Sequence, residues 1–496
     1  MAWNHIGRAI VAVAVFVSAW SQIHARDIYI AQTASRSQDG SSCAATQSLA
    51  WFNNAANWGQ GGKIGAGDVI HLCGVISAML EPKGDGLDGA PITILFETNA
   101  KISAPTLWNN SEQFGSGINL DNRHFYVVDG GTNGVIEATS NGTPGASQYS
   151  YDISGVDANN AANITVRNLT ITGMYKRTPG SSDANKYGCG TWGGSMTGTN
   201  VFENNKVIDA NCGVQWNTDA SQGGTLIVRN NTISRISWGF ASGGGGVVHL
   251  QFYGNSLSDG YVWSGQIPTG DGHFHNDPFH IWTTSSKTTF QELNIYNNWV
   301  SGNWGDNTTG AFYFECQGPA NDCPALIYNN IVSTTTGFTN GAVAVKYAEH
   351  VKVFNNVFAC PGNSIHIENN TFGDTSTPTV DVAVENNLFY GVDTPMAFND
   401  NSSYGAVDYN AYWRTATGND KHKVTGDPLI NVSNFQPQTG SPLIGAGVNL
   451  SSYFNVDRLG NQRPTTGGWS IGAYEITATP PKMKPAPPPS LSAVPK

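Results

Sequence analysis

VFENNKVIDANCGVQWNTDASQGGTLIVRNNTISRISWGF, residues 201–240, holds one structural unit and the start of the next. The string FENN, ending at Asn205, returns as VRNN at Asn231. It then returns as FYGN at Asn255, IYNN at Asn298 and Asn330, FNN at Asn356, and ENN at Asn370 and Asn387. The steps between these asparagines are 26, 24, 43, 32, 26, 14 and 17 residues, the last two summing to 31. A strand-turn unit of this length cannot bury its apolar face alone, so successive units must stack. Leucine is too scarce for a leucine-rich horseshoe, whereas Val, Ile, Phe, Asn and Gly dominate the repeats. Asparagines at equivalent turns can pair their amides from rung to rung. The pattern predicts an all-β, single-stranded right-handed parallel β-helix whose flat outer face suits a polymer.

The bulk numbers agree with a solenoid. The chain has 496 residues, 58 glycines, 11% aromatic and only 12% charged residues. A solenoid grows by adding coils, so this length needs no second globular core. Residues 1–25 read as a signal peptide: Arg8, an uncharged run from Ala9 to Val17, and a cleavage site at Ile23-His24-Ala25. That predicts a secreted or periplasmic protein with no membrane insertion, since the apolar run is too short to span a bilayer. Without Arg8 the formal charge moves from −11 to −12, which argues against nucleic acid as a partner.

Residues 26–425 read as the β-helix with its N-terminal cap, where Ser48 to Trp58 has helical apolar spacing and would plug the open end. Residues 426–478 read as a C-terminal cap crossing back over the last coils, and 479–496 as a Pro-rich disordered tail. Seven cysteines in an exported chain point to disulfides. The expected pairs are Cys43–Cys73, Cys189–Cys212 on neighbouring coils, and Cys316–Cys323, with Cys360 left over.

The strings GDVIHLCG (67–74) and PITILF (91–96), the coil strings VRNLTI and VRNNTI, and the closing DRLGNQRP (457–464) with IGAYE (471–475) are informative together. On them the chain resembles secreted bacterial β-helix proteins of the pectate-lyase-like superfamily, over nearly all of its mature length. The resemblance implies a polysaccharide lyase, a glycoside hydrolase, a uronan epimerase or a non-enzymatic relative. The paired-Asp and RIK-type strings of a polygalacturonase and the WIDH-type string of common pectate lyases are absent from the sequence. Asp-Pro-Phe-His (277–280) is similar to the Asp-Pro-His signature of uronan epimerases, with Phe279 interrupting it.

Two strands per coil are expected, one ending at the Asn turn and one preceding it. The preceding set is CGVQW (212–216), PFHIW (278–282), AFYFEC (311–316), AVAVKY (342–347) and SIHIE (364–368). Side chains alternate across a strand. With Val214, Phe279, Ile281, Phe312, Phe314, Val343, Val345, Ile365 and Ile367 inward, an outward column of Gln215, His280, Glu315, Lys346 and His366 is predicted. Rungs are roughly 4.8 Å apart, so His280, Glu315 and Lys346 would face one sugar unit.

The longest repeat, from Asn255 to Asn298, contains TGDGHFHNDPFHIW (269–282). It concentrates Asp271, His273, His275, Asp277 and His280, and insertions in solenoids often carry function. The predicted catalytic set is His280, Glu315, Lys346 and Asp277. His273, His275, Gln215, Tyr313, His366 and the aromatic platforms Trp282 and Trp263 are the predicted substrate contacts. Asp271 and Asp277 could hold a calcium ion, and the HxH pair His273 and His275 with an Asp could instead hold a transition metal, for which no fourth ligand is identifiable in the sequence. In a lyase, Lys346 or His280 would be the base. In a hydrolase, Glu315 and Asp277 would form the carboxylate pair. Either way the expected partner is a polysaccharide bound by a monomer.

Overall fold

The computed structural model describes residues 25–59, 63–105, 107, 114–140, 152–174, 188–263, 275–283, 288–306, 308–316, 323–346, 349–368, 381–398 and 405–476. Among these residues the coil strands form three all-parallel sheets: A with fourteen strands, B with twelve and C with ten. One coil runs through Cys212–Thr218 in sheet C, Gly224–Arg229 in A and Thr232–Ser234 in B, then returns to C at Trp238–Ser242. In each sheet the strands follow one another by coil, as right-handed crossovers of a parallel β-helix require. The segment read as a signal peptide (apart from Ala25) and the Pro-rich residues 479–496 lie outside the described residues.

The inward residues stack into one continuous core. Val214, Phe240, Phe279, Phe312, Val343 and Ile365 follow one another in register and are sealed from solvent. Phe240 and Phe279 stack with centroids 5.4 Å apart. Each coil has three strands rather than the two expected. The sheet B strands span only three residues where the chain passes Thr232–Ser234, too few to show a period of two.

The tight turn from sheet A to sheet B explains the repeated Asn-Asn pairs. The first residue adopts the left-handed conformation, as at Asn204, Asn230, Asn297, Asn329, Asn355 and Asn386, where asparagine is tolerated better than most side chains. The second is buried and forms a ladder. Asn205 accepts through Oδ1 from Leu169 N–H, and its own N–H donates to Asn231 Oδ1. The chain of bonds continues through Asn255, Asn298, Asn330, Asn356, Asn387 and Asn410 at 2.9–3.0 Å. Asn356 donates directly to Asn387, so the two short intervals at 370 and 387 are one coil. Asn370 itself lies outside the described residues.

At the N-terminal end the predicted plug is a single helical turn, Leu49–Phe52, followed by a 3-10 turn at Ala55–Asn57. Ser48 caps it by accepting from Trp51 N–H at 3.1 Å, and Asn53-Asn54 end it before a longer helix can form. Leu49 and Phe52 join the core.

At the other end, residues 448–475 run back along the Asn-turn edge. Asn329, Asn355 and Asn386, the left-handed residues of three coils, donate to Val456, Ser470 and Val448 carbonyls at 3.0, 2.9 and 2.8 Å. The string DRLGNQRP ties this strap. Asp457 accepts from the Leu459, Asn461 and Glu475 amides. Buried Arg463 donates to Glu475 at 3.1 Å and to Asn329 Oδ1 at 2.8 Å, beside the Trp469 ring. Burial pulls the Arg463 guanidinium down to about 10. The three expected disulfides are present, with Cα–Cα distances of 5.6, 4.5 and 6.2 Å in chain order. Cys360 is free and buried.

Candidate active site on the outer face of sheet C

The outward register of sheet C is continuous over ten rungs. It reads Asn119, Asp157, Trp192, Gln215, Ala241, His280, Tyr313, Ala344, His366 and Ala397. Gln215 and His366 therefore share the His280 column, as expected, two and three rungs away. Glu315 and Lys346 do not. They register with Trp282 in the neighbouring column, because Phe279 pairs with Phe312 and places Tyr313 beside His280. The three successive rungs still bring the groups together diagonally. His280 Nε2 lies 3.6 Å from Glu315 Oε2, and Lys346 Nζ lies 5.8 Å from the centre of the Tyr313 ring.

His280 is the buried hub. Trp238, Trp282, Tyr313 and His275 surround its ring at centroid distances of 6.2, 5.4, 4.7 and 5.5 Å. Its Nδ1 is 3.3 Å from Asp277 Oδ2, and both ring nitrogens are shielded from solvent without a well-formed hydrogen bond among the described residues. The contacts to the two carboxylates are thus ionic. Burial disfavours the imidazolium, but Asp277 and Glu315 outweigh it and raise the pKa. Contact with His280 lowers the Glu315 pKa against the opposing effect of burial, and Lys346 and His275 lower it further. Glu315 is therefore held as a carboxylate, with its side chain 22% exposed.

Asp277 anchors the hub from behind. Its Oδ1 accepts from the Thr309 and Gly310 amides at 2.8 and 3.1 Å, and its Oδ2 from the Thr309 hydroxyl. The carboxylate has no exposed surface. Burial bears on two of the expected roles. Asp277 cannot serve as the second carboxylate of a hydrolase pair, because no substrate can touch it. The calcium expectation also needs Asp271, which lies outside the described residues, and Asp277 Oδ2 itself faces imidazole nitrogens. His280 is likewise excluded as the group that touches substrate, since its nitrogens are sealed.

Asp271 and His273 lie outside the described residues, and Trp263 is described only as backbone, closing the 3-10 turn Gly260–Trp263. Trp282 is half-buried, 6.1 Å from Trp238. Trp216, as alternation with Val214 predicts, is core. Sequence reasoning missed Thr309, which is 32 residues from Asp277 and carries no local signal. It also missed Asp157, further along the His280 column. Burial pushes its pKa up to about 8, reinforced by Asp121.

No protein-family model and no curated protein matches the chain. Solved structures do. The chain is similar to the pectate lyase Pel9A, at 13% identity over 91% of this chain and 96% of that one, TM-score 0.38. It is similar to a mutant of the PL6 family alginate lyase AlyGC, at 14% identity over 85% and 57% of the two chains, TM-score 0.43. It is also similar to the GH136 lacto-N-biosidase from Eubacterium ramulus, at 13% identity over 78% and 68%, TM-score 0.41.

Proposed function

We propose that the protein cleaves a uronic-acid-containing glycan by β-elimination on the outer face of sheet C. The observation that carries this reading is the asymmetry of the site. One solvent-facing carboxylate, Glu315, is held ionised beside the cation of Lys346, while the other nearby carboxylate, Asp277, is sealed. Glycoside hydrolysis ordinarily needs two carboxylates that reach the substrate. Elimination needs one base and a cation that neutralises the uronate as charge develops on it.

In this mechanism the Lys346 ammonium pairs with the uronate carboxylate and acidifies the neighbouring C–H. Glu315 removes that proton, and the electron pair forms the new C=C bond. The bond to the departing glycosidic oxygen breaks, and Glu315 returns the proton to it. His280 positions Glu315, and Asp277 positions His280. Trp282, at the rim, offers a face to an adjacent sugar. The three disulfides fit an oxidising, extracytoplasmic setting for such an enzyme.

A second reading, glycoside hydrolysis, is favoured by one register position. Glu368 follows Lys346, which follows Glu315, so the two glutamates sit two rungs apart. That is about 9.6 Å between backbone positions along the sheet, and inverting hydrolysis uses two carboxyl groups about 6.5–9.5 Å apart. A panel of uronate and neutral polysaccharides, assayed for reducing ends and ultraviolet absorbance, decides between them. Elimination predicts absorbing, unsaturated ends and a Glu368→Gln variant within about ten-fold of the parent. Saturated products together with a dead Glu368→Gln variant would replace elimination with hydrolysis.

A further inference from the structure

His275, Asp277 and His280 present donor atoms that all lie within 4.8 Å of one another. Two imidazoles converge on one oxygen: His275 Nδ1 is 3.7 Å and His280 Nδ1 is 3.3 Å from Asp277 Oδ2. Their rings are nearly parallel, with an interplanar angle of 9°. Bonds of about 2.0–2.1 Å in a tetrahedral site place donors about 3.4 Å apart. The three side chains are therefore close to ligand geometry with little movement required.

We propose that His275, Asp277 and His280 form a binding site for a transition-metal ion of the zinc class. The donor set of two nitrogens and one oxygen selects zinc, nickel or copper over calcium or magnesium. The surroundings support the same assignment. His280 Nε2 faces Glu315 at 3.6 Å, the outer carboxylate that commonly orients a metal-bound imidazole. The Thr309 and Gly310 amides hold Asp277 through Oδ1, and the Thr309 hydroxyl also donates to Oδ2, the oxygen the imidazoles face. His275 is held at its backbone, where its carbonyl accepts from Ser237 Oγ at 2.8 Å.

Three protein ligands leave one coordination position. It opens on the His275 side, whose side chain is 29% exposed while Asp277 is closed off. The site is therefore of the open type that takes water or a substrate oxygen as its fourth ligand. Metal would replace the proton on His280 Nδ1 and leave Nε2–H facing Glu315. The inference goes beyond the elimination reading and does not rest on it.

The test is zinc binding to the chelator-stripped, desalted protein, read by calorimetry, with cobalt substitution read by visible absorption. One equivalent of zinc is expected, with a four-coordinate cobalt spectrum, a raised thermal midpoint and no competition from calcium. His275→Ala, whose side chain is not core, should weaken binding by more than about 100-fold and still fold. Glu315→Gln should weaken it by about 10–100-fold, as loss of an outer partner does. His249→Ala, on sheet A, should change nothing. No saturable zinc binding in the parent, or unchanged binding in His275→Ala, overturns the site. Because the readout is metal and not turnover, either result leaves the role of Glu315 and Lys346 to be judged separately.

Discussion

Two buried clusters of charge face each other across the design of this protein, and they are finished differently. At the strap, Asp457, Arg463 and Glu475 are bonded to amides, carbonyls and one another, with only Arg463 Nε lacking a partner among the described residues. At the site, His280 sits between two carboxylates at 3.3 and 3.6 Å, its ring nitrogens without well-formed hydrogen bonds. A saturated cluster holds chain segments in place. An unsaturated one keeps groups ready to change protonation or partners, which costs stability and serves chemistry. On the proposed reading the strap locks chain segments together and the site relays a proton.

The sharpest test of that difference is Glu315→Gln. It should lower turnover on the order of 10²–10⁴-fold, the range of a positioned acid or base, with a thermal midpoint close to the parent's. Retained turnover would show that Glu315 only decorates the relay. Arg463→Ala should do the reverse. It strands Glu475 in the interior and should cost about 3–5 kcal/mol in denaturant unfolding, while turnover per folded molecule stays the same. An unchanged unfolding midpoint would show that the strap is held by its apolar contacts alone.

A third buried acid gives the smallest and most pH-specific effect. Burial, with Asp121 beside it, pushes Asp157 up to about 8, against about 3.9 in an unfolded chain. Between these values the folded protein keeps a proton that the unfolded chain has released. The favourable balance is therefore complete below about pH 4 and is lost as pH rises toward 8. Asp157→Asn should flatten that slope and raise stability at pH 7 by on the order of 1–3 kcal/mol, measured as unfolding midpoints across pH. A slope equal to the parent's would mean that Asp157 ionises normally in the fold.

The fold was legible because its signal is repeated. Each Asn-Asn pair reports the same turn, and the ladder needs an asparagine at that place in successive coils. The one misplaced rung, Asn370, falls within the interval that Asn356 and Asn387 bridge directly. The site was legible only in part. Alternation along PFHIW and AFYFEC tells which side chains face outward, but not which outward residue of one strand meets which on the next. Pairing of Phe279 with Phe312 decides that, and it moved Glu315 one column from His280. Depth was also invisible. Nothing in the Asn-Asp-Pro string shows that Asp277 would be closed over by Thr309 and Gly310 from the following coil.

The asparagine ladder has a direction. The acceptor for each turn's backbone N–H always comes from the coil that follows it in sequence, from Leu169 served by Asn205 to Asn387 served by Asn410. The last debt is met by Asp420, which accepts from the Asn410 amide at 3.1 Å and carries no further turn behind it. On a ribosome, which releases the chain from its N-terminus, each coil from Leu169 to Asn410 therefore needs the segment that follows it before its ladder turn is satisfied. A chain interrupted between Asn205 and Asp420 would end on a ladder turn whose amide lacks its acceptor.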